Sequence, residues 1–169
     1  METIKELKNE TTLADITHNI NETKNFLLFA VIIDISEPYK TQTTTNFTTK
    51  MKIIDPSFNY KSVLNNDKIK FHKYTTVYIY SETPDNAPKI QNVGDIIRLR
   101  RFNFKIGKRS ELVGFMQKYS NWLIYSGDVK GSEFSECFKN YDKNKDRKLN
   151  EYEKGRLADL RNWNNNFFF

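Results

Sequence analysis

The heptapeptide Tyr74-Thr75-Thr76-Val77-Tyr78-Ile79-Tyr80 constrains this chain more than any other stretch. Each of its residues is β-branched or aromatic, a composition that packs well on a pleated sheet and poorly on a helix. Side chains on a strand alternate between two faces, so Thr75, Val77 and Ile79 share one side and Tyr74, Thr76, Tyr78 and Tyr80 the other. The first face suits a core. The second is either a cap over that core with its hydroxyls at the surface, or an open platform for flat rings.

The segments around it read as partner strands. Residues 26–35 are an almost unbroken apolar run, as expected of a strand buried on much of both faces, and Pro38 in Glu37-Pro38-Tyr39-Lys40 breaks its ladder. A polar hairpin loop, residues 41–45, leads into residues 46–54. There Phe47, Thr49, Met51 and Ile53 fall on one face, with Asn46, Thr48, Lys50 and Lys52 on the other. A lysine row of this kind either protects an exposed sheet from unwanted pairing or follows a phosphate backbone. Asp55-Pro56-Ser57 is a turn, and Asn65-Asn66-Asp67 and residues 82–88 are loops.

After Val93-Gly94-Asp95 comes a strand at residues 96–106 whose alternation slips. Ile97 and Leu99 have one parity, and Phe102, Phe104 and Ile106 the other. A bulge at Arg100-Arg101 turns both halves inward and bends the strand, as a small barrel demands. Gly107-Lys108-Arg109-Ser110 is a basic hairpin turn, and residues 112–115 and 122–125 supply a closing strand in two pieces. Apolar residues at Ile4, Leu7, Leu13, Ile16 and Ile20, with a cap at Thr11 or Thr12, predict a short helix laid against the barrel.

The fold class is therefore all-β with flanking helices, a five-stranded OB-fold barrel whose short connections make its strands antiparallel. The barrel occupies residues 26–127, between an N-terminal helical extension at 1–25 and a C-terminal helical segment at 128–169. OB folds bind oligonucleotides over strands two and three. On those strands Lys50 and Lys52 lie beside Tyr78 and Tyr80, and a row of cations next to a row of aromatics favours a nucleic-acid partner.

Charge and composition agree. The 27 basic and 21 acidic side chains leave a formal charge of +6, which suits a polyanion. A single cysteine, Cys137, excludes an internal disulfide and fits a reducing nuclear or cytosolic compartment. No apolar run approaches the ~18 residues of a membrane span and no apolar signal segment follows a positive lead, so a soluble intracellular protein with no membrane partner is expected.

His18 and His72 have no second ligand at metal spacing, and no thiol–imidazole pair, Gly-rich phosphate loop or His-Glu spacing is present. The expectation is no catalysis, no metal, no cofactor and no small-molecule substrate. The twelve residues from Asp142 to Glu153 match most of a calcium-binding EF-hand loop. Against this, Arg147 stands where the turn calls for glycine, at a cost of roughly 1–2 kcal/mol, and three lysines and this arginine oppose a divalent cation. The stretch reads instead as a polar connection between helices, with Phe134 and Phe138 before it and Leu157 and Leu160 after it, whose Asp and Asn side chains cap the second helix.

Several motifs together resemble the telomere end-binding protein alpha subunit of ciliates and its relatives, the protection-of-telomeres proteins. They are Ala30-Val31-Ile32-Ile33-Asp34 with Pro38-Tyr39-Lys40, Lys52-Ile53-Ile54-Asp55-Pro56, Gly94-Asp95-Ile96-Ile97-Arg98 with Arg101, Trp122, and Leu157-Ala158-Asp159-Leu160-Arg161-Asn162-Trp163. The resemblance implies the family's first OB fold, which grips the G-rich single-stranded overhang at chromosome ends in the nucleus. It implies Tyr80 as a stacking aromatic at the end of strand three, Asn46 and Phe47 as a contact region, and Tyr39 as the tyrosine after the strand-one proline.

With these stand Tyr78 as a further stacking surface and Lys40, Lys50, Lys52, Arg100, Lys105, Lys108 and Arg109 as phosphate partners. A beta-type or other telomeric subunit is the protein partner implied. Two departures follow: Ile106-Gly107 stand where the family has an aromatic near the tip of the fourth-strand hairpin, and the chain ends at Phe167-Phe168-Phe169 without a second barrel. The chain is then a fragment or a single-barrel relative. The competing function is a barrel that docks a telomere or telomerase subunit and binds little DNA itself.

Overall fold

The computed structural model describes residues 10–20, 26–58, 63–65, 68–70, 73–128, 136–139 and 149–166. In chain order the elements are β1 (Glu10–Thr11), α1 (Leu13–His18), β2 (Leu27–Ile35), β3 (Tyr39–Lys40), β4 (Phe47–Ile54), β5 (Val63–Asn65), β6 (Lys68–Lys70) and β7 (Thr75–Ser81). They continue with β8 (Ile96–Arg100), β9 (Asn103–Ile106), β10 (Leu112–Phe115), β11 (Asn121–Tyr125), β12 (Glu136–Lys139) and α2 (Glu151–Asn165).

The main sheet runs β12-β11-β8-β2-β4-β7-β10-β9, with β1 on β2 and β3 on β4, and β5 and β6 form a separate hairpin. β8 and β9 are halves of one strand, split where Arg101 takes a φ of 58°. β10 and β11 are halves of the next, and the pairs β8·β11 and β9·β10 lie toward opposite ends of the path. One bent hairpin thus joins both ends, and the sheet curls into a partly open OB barrel. The expected bulge is present: Ile97, Leu99, Phe102 and Phe104 all enter the barrel core with Leu28, Ala30, Ile32, Met51, Ile53, Val77, Ile79 and Trp122.

Two strand expectations need correction. Ile106 keeps the parity of Phe104 and stands opposite the buried Leu112, but it is not buried with them: it is 43% exposed, because it ends the last strand of the path, with a neighbour on one side only. Nor is the sheet wholly antiparallel, since β10 runs parallel to β7 and β1 parallel to β2. An odd number of alternating strands closes only by placing two of like direction side by side.

The N-terminal helix is shorter than expected and goes deeper. Thr12 and Asp15 form a capping box at its start, and the turn after β4 adds Asp55, whose carboxylate accepts from the Leu13 N–H at 2.8 Å, and Ser57, whose Oγ accepts from the Ala14 N–H at 3.0 Å. So anchored, α1 inserts Leu13 and Ile16, both fully buried, into the barrel core rather than lying on its wall. Each buried side chain of this size contributes about 1.5–3 kcal/mol. Ile4 and Leu7 lie outside the described residues.

β2 is covered on both sides, as its apolar run requires. Leu28, Ala30 and Ile32 face the barrel, while Phe29 and Val31 meet Leu157 and Leu160 of α2 in a second cluster with Ile54, Ile96, Leu123 and Tyr125. Asn150 caps α2 by accepting from the Glu153 N–H at 2.8 Å. The Glu153 carboxylate is buried against Arg98 Nη1 at 3.7 Å and Arg100 Nη2 at 3.0 Å. These are the ninth and twelfth positions of the EF-hand-like pattern, both already engaged; residues 142–148 lie outside the described residues.

A helix was expected to precede this connection, but residues 136–139 form β12 against β11, which satisfies main-chain groups that β11 would otherwise expose. Gly94 and Asp95, prominent in the family resemblance, serve as a clamp. Gly94 takes a φ of 102°, and its carbonyl accepts from Asn164 Nδ2 of α2. The buried Asp95 carboxylate accepts from the N–H groups of Gln91, Asn92 and Gly127 at 2.8 to 3.1 Å.

Candidate nucleic-acid interface

The register of β4 against β7 places Thr48 opposite Tyr80, Lys50 opposite Tyr78 and Lys52 opposite Thr76. Opposed residues of an antiparallel ladder project to the same face. Since Thr49, Met51, Val77 and Ile79 are fully buried, the lysines and tyrosines share the outward face. Tyr39 of β3 is opposite Thr48, which extends that row to Tyr39, Thr48 and Tyr80 across adjacent strands. Its neighbour Lys40 is opposite Phe47 and holds its Nζ 5.0 Å from the centre of that ring.

The phenol of Tyr80 is held above its ordinary pKa, chiefly by burial and further by the neighbouring phenols of Tyr39 and Tyr78. It is therefore neutral across the physiological range.

Beyond β7 the face continues onto β10 and β9. Phe115 is opposite Tyr78 in the parallel ladder, and their rings stack at 5.3 Å with planes 12° apart. Lys105 Nζ stands 5.9 Å from the Phe115 ring. Phe115 was missed from the sequence, although its parity carried the signal: Leu112 and Gly114 are buried, so Val113 and Phe115 face out. Gly114 has to be glycine, because a Cβ there would lie 2.7 Å from the ring of Phe104.

Tyr39, Lys50, Lys52, Tyr78, Tyr80 and Lys105 thus lie on one continuous surface, whereas Phe47 and Lys40, opposite one another, have the other parity and are not brought onto it. Lys52 is already engaged, with its Nζ 3.5 Å from Asp34 Oδ2 and 4.8 Å from the centre of the Tyr74 ring. Asn46 lies exposed just before β4, and Lys108 and Arg109 are exposed in the turn after β9, off the sheet. Arg100 is not brought to this surface: its guanidinium is held by Glu153 beneath α2.

The family model described as telomeric single-stranded DNA binding POT1/CDC13 matches residues 7–169. The chain belongs to this family. It is 29% identical over 106 residues to the telomere-binding protein subunit alpha of Stylonychia mytilus, covering 62% of this chain and 21% of that protein. To the subunit alpha of Sterkiella nova it is 26% identical over 152 residues, covering 83% of this chain and 30% of that protein. The chain therefore spans less than a third of the length of these relatives.

Among solved structures, fission yeast Pot1 with ssDNA superposes with a TM-score of 0.61 at 15% identity, over 85% of this chain and 44% of that one. A second Pot1–ssDNA complex gives 0.54 at 14% identity, over 85% and 77%. These likenesses establish the POT1-type OB fold, and the lysine–tyrosine face described above is on its strands two and three.

Proposed function

We propose that this chain binds telomeric single-stranded DNA through the outward face of β4, β7 and β10 and serves in capping chromosome ends in the nucleus. The observation that carries this reading is the Lys50–Tyr78 register in a POT1/CDC13 family member: cations and stacking rings alternate on neighbouring strands of one surface. A flexible polyanion can then lay phosphates along Lys50 and Lys105 and rest bases on Tyr80, Tyr78 and Phe115. Tyr39 extends the surface at one end, and Lys105, Lys108 and Arg109 add charge at the other. Two relatives are named as subunits, which supports a second telomeric protein as a further partner.

Fluorescence anisotropy with G-rich telomeric repeats, scrambled strands of equal composition and the matching RNA tests the proposal. Preference for the telomeric DNA is expected. Equal, weak affinity for all three would favour the rival reading, a barrel that docks a protein subunit on its aromatic face.

A further inference from the structure

Leu28, Ala30 and Ile32 of β2 point into the barrel, and strict alternation would send Asp34 after them into the apolar core. It does not go there. The ladder between β2 and β4 shifts register between Ile32 and Asp34, so that Ile32 stands opposite Ile53 while Asp34 stands opposite Lys52. The bulge turns the carboxylate onto the outward face, where the side chain is 62% exposed. The other strand positions of that face carry Lys, Thr, Tyr, Val, Phe and Asn. A carboxylate among them repels phosphate, and its neighbour Lys52, 3.5 Å away, is neutralised by it. This corner is therefore unsuited to a nucleic-acid backbone.

An ionised carboxylate only accepts hydrogen bonds, through two oxygens with about four lone-pair sites, and Lys52 faces only one of those oxygens. Its best partner is a group with two parallel donors. Among the standard bases guanine alone offers this, with N1–H and N2–H side by side. Adenine and cytosine place a ring acceptor beside the amino group, and thymine flanks its single N–H with two carbonyls.

We propose that Asp34 is a specificity-determining residue that accepts both edge donors of an unpaired guanine. Lys52 holds the carboxylate in place, and Tyr74, whose ring lies 4.8 Å from the Lys52 ammonium, walls the seat. The assignment rests on the single-strand reading above and names the base taken at this end of the face.

The test uses the full chain and Asp34→Asn, with Asp34→Ala as a second variant, each checked by thermal melt, since an exposed residue should leave the fold intact. Anisotropy is measured with a G-rich single strand and with the same strand in which each guanine in turn is replaced by inosine, which lacks the N2 amino group. At one position inosine should weaken the unmodified protein on the order of tenfold. Asp34→Asn should lose a similar factor on the guanine strand and nothing further on the strand with inosine at that position.

The inference is overturned if Asp34→Asn and Asp34→Ala bind the guanine strand as tightly as the unmodified protein or more tightly. An equal loss on every strand, inosine or not, also overturns it. If the unmodified protein shows no affinity for any single strand, the proposed function fails first and this assignment with it, a result distinguishable from the other two.

Discussion

Tyr78 and Phe115 stack face to face, with centroids 5.3 Å apart and planes 12° from parallel, across the parallel β7·β10 pair. The contact joins strand three to strand five, so it is part of barrel closure, and the same two rings form the middle of the outward aromatic surface. Barrel closure and the surface proposed for a single strand therefore share a side-chain pair.

Phe115→Ala and Tyr78→Ala should each weaken single-strand binding by about 1–3 kcal/mol, the range for lost base stacking. Because the rings support one another, the double variant should fall short of the sum by roughly 0.5–1.5 kcal/mol. A double-mutant cycle by anisotropy, at one salt concentration, measures the coupling; strictly additive losses would show that the two rings act on separate bases.

Lys50 and Lys52 should separate in their salt dependence, although both stand on the same strand face. Lys52 is compensated by Asp34, whereas Lys50 is exposed opposite Tyr78. Lys50→Gln should reduce the slope of log K against log salt by about 0.7, one phosphate contact on a single strand. Lys52→Gln should leave that slope nearly unchanged. Equal changes for the two variants would mean that Asp34 does not hold Lys52 away from phosphate.

Tyr80 should ionise above the ordinary tyrosine value, since burial and then the neighbouring phenols of Tyr39 and Tyr78 raise its pKa. A raised folded-state pKa means that its contribution to stability is fully present below the ordinary tyrosine value of about 10 and is lost as pH rises through the folded value. Tyrosinate absorbance at 295 nm should show a late-titrating component that Tyr80→Phe removes. Tyr80→Phe should keep single-strand affinity at neutral pH, whereas Tyr80→Ala should lose about 1–3 kcal/mol of it.

Glu153 balances two arginines beneath α2, and Arg98 and Glu153 are almost wholly buried. Glu153→Gln removes that charge while keeping the shape, and should destabilise the fold by about 3–5 kcal/mol, as breaking a buried ion pair does. Urea unfolding would show it as a lower midpoint at unchanged slope. Because Arg100 is tied up at this interface, Arg100→Gln should change single-strand affinity far less than Lys50→Gln does.

Much of this site was legible before the fold. Alternation along residues 46–54 and 74–80 separated Lys50, Lys52, Tyr78 and Tyr80 from Met51, Ile53, Val77 and Ile79, and the ladder keeps that separation. The parity slip at Arg100-Arg101 located the bend that curls the sheet. That an Asp or Asn of the connection caps α2 and that β2 is buried on both sides were equally visible, as was the apolar stripe of α2; only the structure shows the cap to be Asn150. Arg100 was misplaced because its charge says nothing about its partner, and the buried Glu153 lies 53 residues further on.

What the amino-acid order determined alone is local: which side chains share a face of a strand, and where that rhythm breaks, because the two-residue period of an extended chain is set by backbone geometry. Which strands lie side by side, and in what register, depends on how a curled sheet satisfies its edges and fills its interior, and no short stretch encodes it. Only tertiary structure could therefore set Phe115 on Tyr78 through a parallel pair and spend a bulge to carry Asp34 from the core side to Lys52.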